Sequence, residues 1–116
     1  TWLQKQGGQR VSAWEALSYP PQVLAHNLLR TLGTTPCYLS LDIDCLDPSH
    51  APGTGTPEIG GLTTAWVMEL LRHLQPASWI GMDCVEVAPA YDHSGITALA
   101  AATFVWSYLS MVAHKL

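Results

Sequence analysis

The stretch YLSLDIDCLDPSHAPGTGTPEIGGL, residues Tyr38–Leu62, decides the fold of this chain. Pro36–Ile43 predicts a buried strand, because its tyrosine, leucines and isoleucine leave little polar surface. Side chains alternate faces along a strand, so we expect Asp42 and Asp44 to point to the same side. Two carboxylates that lie so close repel each other unless a cation lies between them. The pattern therefore indicates a site for a divalent metal ion.

The segments on either side of this stretch predict helices and further strands. The predicted elements are a strand at Gln9–Ala13, a helix at Gln22–Leu32 ended by Gly33, the strand at Pro36–Ile43, a long loop at Cys45–Gly61, a helix at Ala65–Leu74 with Thr63 as its N-cap, a strand at Trp79–Val87 and a helix at Ile96–Ala113. This alternation predicts the α/β class with a parallel sheet, and ligands bind outside the carboxyl ends of such strands. Asp42, Asp44 and Glu86 all lie at predicted strand ends.

The last predicted helix, Ile96–Ala113, has eighteen residues and no charge. Its length alone would allow it to cross a membrane. Small and mildly polar residues within it favour a different interpretation. We expect a helix buried between the sheet and a partner subunit, and no membrane.

Composition narrows the class of partner. The chain has 116 residues, a net charge of −4 and only 12% charged residues, with no cluster of lysine or arginine. Neither nucleic acid nor an anionic membrane is therefore the expected partner, and a small cationic substrate suits the charge better.

The cysteines and the start of the chain indicate the cellular compartment of the protein. Cys37, Cys45 and Cys84 are odd in number and lie in or beside predicted strands, which is not the spacing of a disulfide framework or a zinc site. We expect them to be reduced. The sequence opens at Thr1 without a charged and then apolar leader, so we expect a cytoplasmic location. The absence of an initial methionine leaves room for residues upstream.

Other uses of closely spaced aspartates fit less well. A calcium loop of the helix-loop-helix type needs glycine at its sixth position and glutamate at its twelfth, where this chain has Asp47 and Gly53. A sugar-nucleotide transferase also uses D-x-D with manganese. The rigid loop of proline and glycine that follows Asp44 is unlike a phosphate-binding loop.

Two strings resemble the ureohydrolase family, which includes arginase, agmatinase and guanidinobutyrase. They are SLDIDCLDP running on through APGTGTPEIGGL (Ser40–Leu62), and VEVAPAYDHSGITA (Val85–Ala98). The resemblance covers about Val11 to Met111 and is closer to the agmatinase branch. It implies a three-layer α/β/α fold with a parallel sheet, of which residues 1–116 form a single partial domain, the C-terminal part.

The resemblance also implies a site, a pair of manganese ions that share a hydroxide, with nickel as a competitor for manganese. Asp42 and Asp44 resemble two of the metal ligands, and Glu86 resembles the carboxylate that pairs with the guanidinium. Thr56 resembles a residue that lines the substrate. For Asp47, also within the signature, we expect a structural role in which its carboxylate accepts backbone N–H bonds.

Most of the family's metal ligands come from two upstream motifs, G-G-D-H and D-A-H-x-D, and neither string occurs here. His50 and His93 are candidates to replace the missing ligands because both are near the predicted site, although their spacing does not require that they bind a metal. We expect His26, His73 and His114 to be surface residues.

Two functions follow as hypotheses. In the first, the chain is the C-terminal part of an amidinohydrolase that converts agmatine, guanidinobutyrate, guanidine or a similar compound to urea and an amine once an upstream half completes it. In the second, it is a truncated, non-catalytic protein that associates with a full-length relative. The family resemblance further implies a homo-oligomer, a trimer or a hexamer.

Overall fold

The computed structural model describes residues 2–114 of the protein. Its elements are α1 (Trp2–Lys5), α2 (Ala13–Leu17), α3 (Pro21–Leu32), β1 (Pro36–Asp42), α4 (Thr64–His73), β2 (Ser78–Val85) and α5 (Ile96–Ala113), with 3-10 turns at Ile43–Cys45 and Pro89–Tyr91. Strands β1 and β2 are parallel neighbours, and α4 connects them. The α/β class and the parallel pairing predicted from the sequence are confirmed.

The two strands run side by side to a common end. Their register places Pro36 opposite Ser78 and Asp42 opposite Val85, with one irregularity next to Tyr38. One face of the pair packs against α4 and α5. The buried core side chains are Leu41, Ile43, Leu46, Ala51, Val67, Leu71, Ala100, Phe104, Tyr108 and Met111. On the opposite face Tyr38 and Ile80 are exposed, so within residues 2–114 helices cover one face of the sheet.

The helix ends are those that local chemistry favours. Pro21 occupies the start of α3, and Gly33 ends it with a φ of 56° while its N–H donates to the carbonyl of Leu29 at 2.9 Å. Thr63 caps α4 by accepting a hydrogen bond from the Trp66 N–H at 3.1 Å. Both helices agree with their predicted bounds to within a residue or so.

The strand predicted at Gln9–Ala13 is wrong. Ser12 instead forms a capping box at the start of α2: its hydroxyl accepts from the Glu15 N–H at 3.3 Å, and the Glu15 carboxylate accepts from the Ser12 N–H at 2.7 Å. The bond from the Ser12 N–H uses a backbone group that the predicted strand would need for its ladder, and the two bonds together start a helix.

Helix α5 has the predicted bounds. Among the described residues it is the helix long and apolar enough to cross a membrane by length and composition alone, which is weak evidence by itself. Phe104 and Tyr108 are buried in the core, whereas Leu99 and Trp106 on the other side of the helix are 67% and 71% exposed. The predicted packing on the sheet is confirmed, and the covering of the other side by a partner subunit stays a prediction.

Candidate active site

The common end of β1 and β2 brings three carboxylates together. Asp42 is the last residue of β1 and lies opposite Val85, so Glu86 begins the segment that follows β2 at the same edge of the sheet. The negative charges of Asp44 and Glu86 both act on the Asp42 carboxyl group. The parallel topology therefore gathers these groups at the place where α/β sheets bind ligands.

Asp42 and Asp44 come together through a turn, which corrects the expectation that both lie on one strand. The strand ends at Asp42, and Asp44 lies in the 3-10 turn Ile43–Cys45. The Asp42 carboxylate caps this turn by accepting from the Asp44 N–H at 3.3 Å. Ile43 and Leu46 are buried in the core on either side of Asp44, and they hold the turn in place.

The charges of this cluster are not balanced by a cationic side chain in any contact that the structure shows. Burial raises the pKa of Asp42 above its ordinary value, and the negative charges of Asp44 and Glu86 raise it further, while the hydrogen bond from the Asp44 N–H lowers it. A cation between the carboxylates would remove this repulsion. The arrangement is therefore suited to a metal ion or a cationic substrate.

Thr56 lies against Asp44. Its hydroxyl donates to one Asp44 carboxylate oxygen at 2.6 Å, although twelve residues separate the two in sequence. A short bond to a carboxylate fixes the orientation of that group. Thr56, predicted to line the substrate, thus also orients a predicted metal ligand.

Glu86 has an unusual backbone conformation. Its φ is 65°, in the left-handed region that residues other than glycine rarely adopt. The side chain is exposed at the end of β2. Strained backbone of this kind is frequent at functional sites, so the conformation of Glu86 agrees with the role predicted for it, although Ser94 shares this conformation.

The long loop Cys45–Gly61 is closed by Asp47 and by the backbone next to it. One Asp47 carboxylate oxygen accepts from the Ser49 N–H at 2.9 Å, and the other accepts from the Gly60 N–H at 2.9 Å. The backbone of Leu62 pairs with that of Cys45 and Asp47, which brings the two ends of the loop together. Asp47 thus accepts backbone bonds, in the manner that a structural role requires.

Asp47 should make the stability of the protein depend on pH. The hydrogen bonds from Ser49 and Gly60 lower the pKa of Asp47 from 3.8 to about 2. Because the folded-state pKa is the lower one, the ionised carboxylate stabilises the fold above about pH 4, and this contribution is lost as the pH falls towards about 2. We expect Asp47→Asn to lower the urea midpoint near neutral pH, and its deficit relative to the wild type should shrink below about pH 4.

Glu58→Gln is the matched control for this prediction, because Glu58 is an exposed carboxylate of the same loop. Urea midpoints followed by circular dichroism at several pH values give the comparison. A deficit for Asp47→Asn that stays constant down to about pH 2.5 would contradict the role of the ionised carboxylate.

The cysteines and histidines add no ligand to the carboxylates. Cys37, Cys45 and Cys84 are free thiols, and burial raises the pKa of Cys45 to about 11, so its thiol stays protonated. In residues 2–114 no group of three or more His, Cys, Asp or Glu side chains is arranged to hold a metal ion.

In residues 2–114 the two candidate histidines form no group with the site carboxylates that could hold a metal ion. His50 is half-buried and lines a cavity of about 250 Å³ with Thr64 and Phe104, and His93 is exposed. Neither completes a ligand set within the described range. The remaining histidines are exposed, as predicted: His26, His73 and His114.

The sequence analysis assigned no role to Asp92 and Thr97, which the structure connects to the long loop at Gly53. The Thr97 hydroxyl accepts from the Gly53 N–H at 2.8 Å, and the Asp92 carboxylate accepts from the Thr97 N–H at 2.9 Å. One signal was available: the residue before α5, Gly95, has no side chain to cap the helix, so an upstream carboxylate is the expected cap.

Comparison with known proteins identifies the family. The sequence model of the arginase family matches residues 1–110, and the chain belongs to that family. The agmatinase of Photorhabdus laumondii is 59% identical over 92 residues, which cover 79% of this chain and 30% of that protein. The agmatinase of Sodalis glossinidius is 62% identical over 84 residues, or 72% of this chain and 27% of that protein.

Solved structures show the same fold. A hypothetical agmatinase from Burkholderia thailandensis superposes with a TM-score of 0.91 at 41% identity, covering 94% of this chain and 35% of that one. Proclavaminate amidino hydrolase from Streptomyces clavuligerus gives a TM-score of 0.92 at 37% identity, covering 95% and 36%. The chain thus has the arginase fold, and it spans about 30% of the length of the curated relatives that it matches.

Proposed function

We propose that this chain is the C-terminal part of a binuclear-metal amidinohydrolase that hydrolyses a small cationic guanidino compound, agmatine first, to urea and an amine. The observation that supports this proposal most directly is the grouping of Asp42, Asp44 and Glu86 at the common end of two parallel strands. The agmatinases among the relatives support the choice of agmatine.

The carboxylates fit part of a metal site. Asp42 and Asp44 offer the hard oxygen donors that manganese accepts, with nickel as the alternative, and two such groups need further ligands from elsewhere to hold a metal pair. The proposal assigns those ligands to an upstream part of the enzyme. When bound, the metal pair lowers the pKa of water and so supplies hydroxide at neutral pH.

The residues of this chain bind and orient the substrate. Glu86 accepts charge-assisted hydrogen bonds from the flat guanidinium and holds its carbon in place for attack. Thr56 lines the substrate on the Asp44 side, where its hydroxyl also keeps that carboxylate in one orientation.

Exposed apolar surface supports the proposed partner. Ile80 on the open face of the sheet is 70% exposed, and Leu99 and Trp106 on α5 are exposed to a similar degree. Apolar groups of this size favour contact with another polypeptide. In the proposed enzyme the partner is the upstream half, and in the non-catalytic alternative it is a full-length relative. The proposal also includes a homo-oligomer, a trimer or a hexamer.

The test is to complete the enzyme with a relative's upstream part. The upstream part of the Photorhabdus laumondii agmatinase is combined with this chain, either as separate polypeptides or fused in place of the matching segment. We expect urea release from agmatine that requires manganese or nickel and stops with a chelator. The upstream part alone and this chain alone serve as controls. A stable, folded assembly without urea release would contradict the proposal and favour the non-catalytic alternative.

A further inference from the structure

Gly53 stands at the meeting point of three segments. Its N–H donates to the Thr97 hydroxyl of α5 at 2.8 Å, and its carbonyl accepts from the Ala88 N–H at 2.8 Å. We call Gly53, Ala88, Asp92 and Thr97 the Gly53 junction. It joins the long loop, the segment after β2 and the start of α5.

Position 53 has no room for a side chain. A Cβ on Gly53 would lie 2.6 Å from the Cβ of Asp92, closer than carbon atoms approach in proteins. Thr97 is fully buried, so a lost partner for the Gly53 N–H cannot be replaced by bulk water without opening the fold. The contact is therefore tight and specific.

Asp92 fixes the start of α5, the third segment that the junction joins. Its two carboxylate oxygens accept from the N–H groups of Thr97 and Ala98, each at 2.9 Å. These are N–H groups of the first turn of α5, which have no partner within the helix. Asp92 thereby holds the backbone that carries the Thr97 hydroxyl.

The junction lies between two parts of the proposed site. Ala88 is two residues after Glu86, and Thr56, which bonds Asp44, is three residues after Gly53. We infer that Thr97 and Asp92 are positioning residues, which act through Gly53 and Ala88 to set where Glu86 stands relative to Asp44. This inference rests on the proposed function, because it assigns the junction a role in holding the guanidinium against the metal ligands.

The test uses three variants in the assembled enzyme. Thr97→Val keeps the shape and removes the acceptor for the Gly53 N–H, Thr97→Ser keeps a hydroxyl, and Thr103→Val removes from the same helix a hydroxyl that bonds only its own turn, at the Leu99 carbonyl. The measured quantities are KM and kcat for agmatine, the manganese concentration for half-maximal activity, and hydrogen exchange of the Gly53 and Ala88 amides.

We expect Thr97→Val to raise KM by about tenfold to a hundredfold, because a small displacement of a binding group is enough for such a loss. The manganese requirement should change less than KM, since β1 and its turn hold the backbone of Asp42 and Asp44 without the junction. Exchange of the Gly53 and Ala88 amides should accelerate. Thr97→Ser should restore KM, and Thr103→Val should behave as the wild type. A general loss of stability would not raise KM while it leaves the manganese requirement less affected.

Two results would overturn the inference and leave the proposed function intact. They are an unchanged KM in Thr97→Val when the wild-type assembly is active, or unchanged hydrogen exchange of the Gly53 and Ala88 amides. An inactive wild-type assembly would instead overturn the proposed function, and the inference with it. Asp92→Asn provides a second variant if Thr97→Val fails to assemble. It keeps one acceptor oxygen and loses the other, so a smaller rise in KM is expected, and an unchanged KM would again overturn the inference.

Discussion

Asp44→Asn is expected to lower urea release by the assembled enzyme more than about 100-fold, since even residues that only support metal ligands cost between 10-fold and 100-fold when they are changed. The substitution keeps the shape of the side chain and one oxygen for the Thr56 hydroxyl, and it removes the negative charge. The turn Ile43–Cys45 should survive, because the Asp42 carboxylate and the backbone N–H of residue 44 are both retained. The expected defect is thus in metal binding and rate, measured as manganese affinity and kcat/KM.

Glu69→Gln is the control that removes the same charge elsewhere. Glu69 lies on α4, where it pairs with the exposed side chains of Arg72 and His73. Pairs of this kind contribute little to stability, so activity should stay close to that of the wild type. Equal losses in the two variants, or an Asp44→Asn variant with unchanged manganese affinity, would contradict the assignment of Asp44 as a ligand.

Phe104→Ala is expected to destabilise the chain by about 3 to 5 kcal/mol, the usual range for removal of a buried aromatic side chain. Phe104 is fully buried where α5 packs on the sheet, and the cavity left behind is bounded by the sheet, α4 and the long loop. Small domains have a total stability of about 5 to 15 kcal/mol, so this one change removes a large share of it. Urea unfolding followed by circular dichroism measures the loss.

Trp106→Ala is the matched control, a larger aromatic residue on the same helix. Trp106 is 71% exposed, and its removal should change the free energy of unfolding by no more than about 0.5 kcal/mol. If the two variants lose similar stability, the packing of α5 through its Phe104 side is wrong.

The parts of the fold that sequence predicted well are those governed by local chemistry. The cap at Thr63 starts α4, and the uninterrupted apolar run of α5 has the predicted bounds. The density of proline and glycine correctly predicts that Cys45–Gly61 forms neither α-helix nor strand. These signals depend on neighbours in sequence, which is why no tertiary information was needed.

Two predictions failed because a side chain bonds the backbone near it. Ser12 and Glu15 close a capping box, and an S-x-x-E pattern was present in the sequence to indicate it. Asp42 caps a turn and thereby ends β1 one residue before the predicted end. Alternation along a strand therefore gave the right neighbours, Asp42 and Asp44, for the wrong geometric reason.

The Gly53 junction could not be predicted from spacing. Gly53 and Thr97 are 44 residues apart, and their hydrogen bond depends on how the long loop folds over the start of α5. A glycine in a loop rich in glycine gives no sign of a close approach to Asp92. Contacts of this kind require the three-dimensional structure, whereas the grouping of Asp42 and Glu86 followed from topology alone.

Position 86 is a point where folding and chemistry make opposite demands. A residue other than glycine in a left-handed conformation costs about 1 kcal/mol or more relative to glycine. Glu86 adopts that conformation at the end of β2. A redesign that optimised thermal stability alone would therefore place glycine at position 86. The chain would become more stable, but it would lose the carboxylate on which recognition of the guanidinium is proposed to depend.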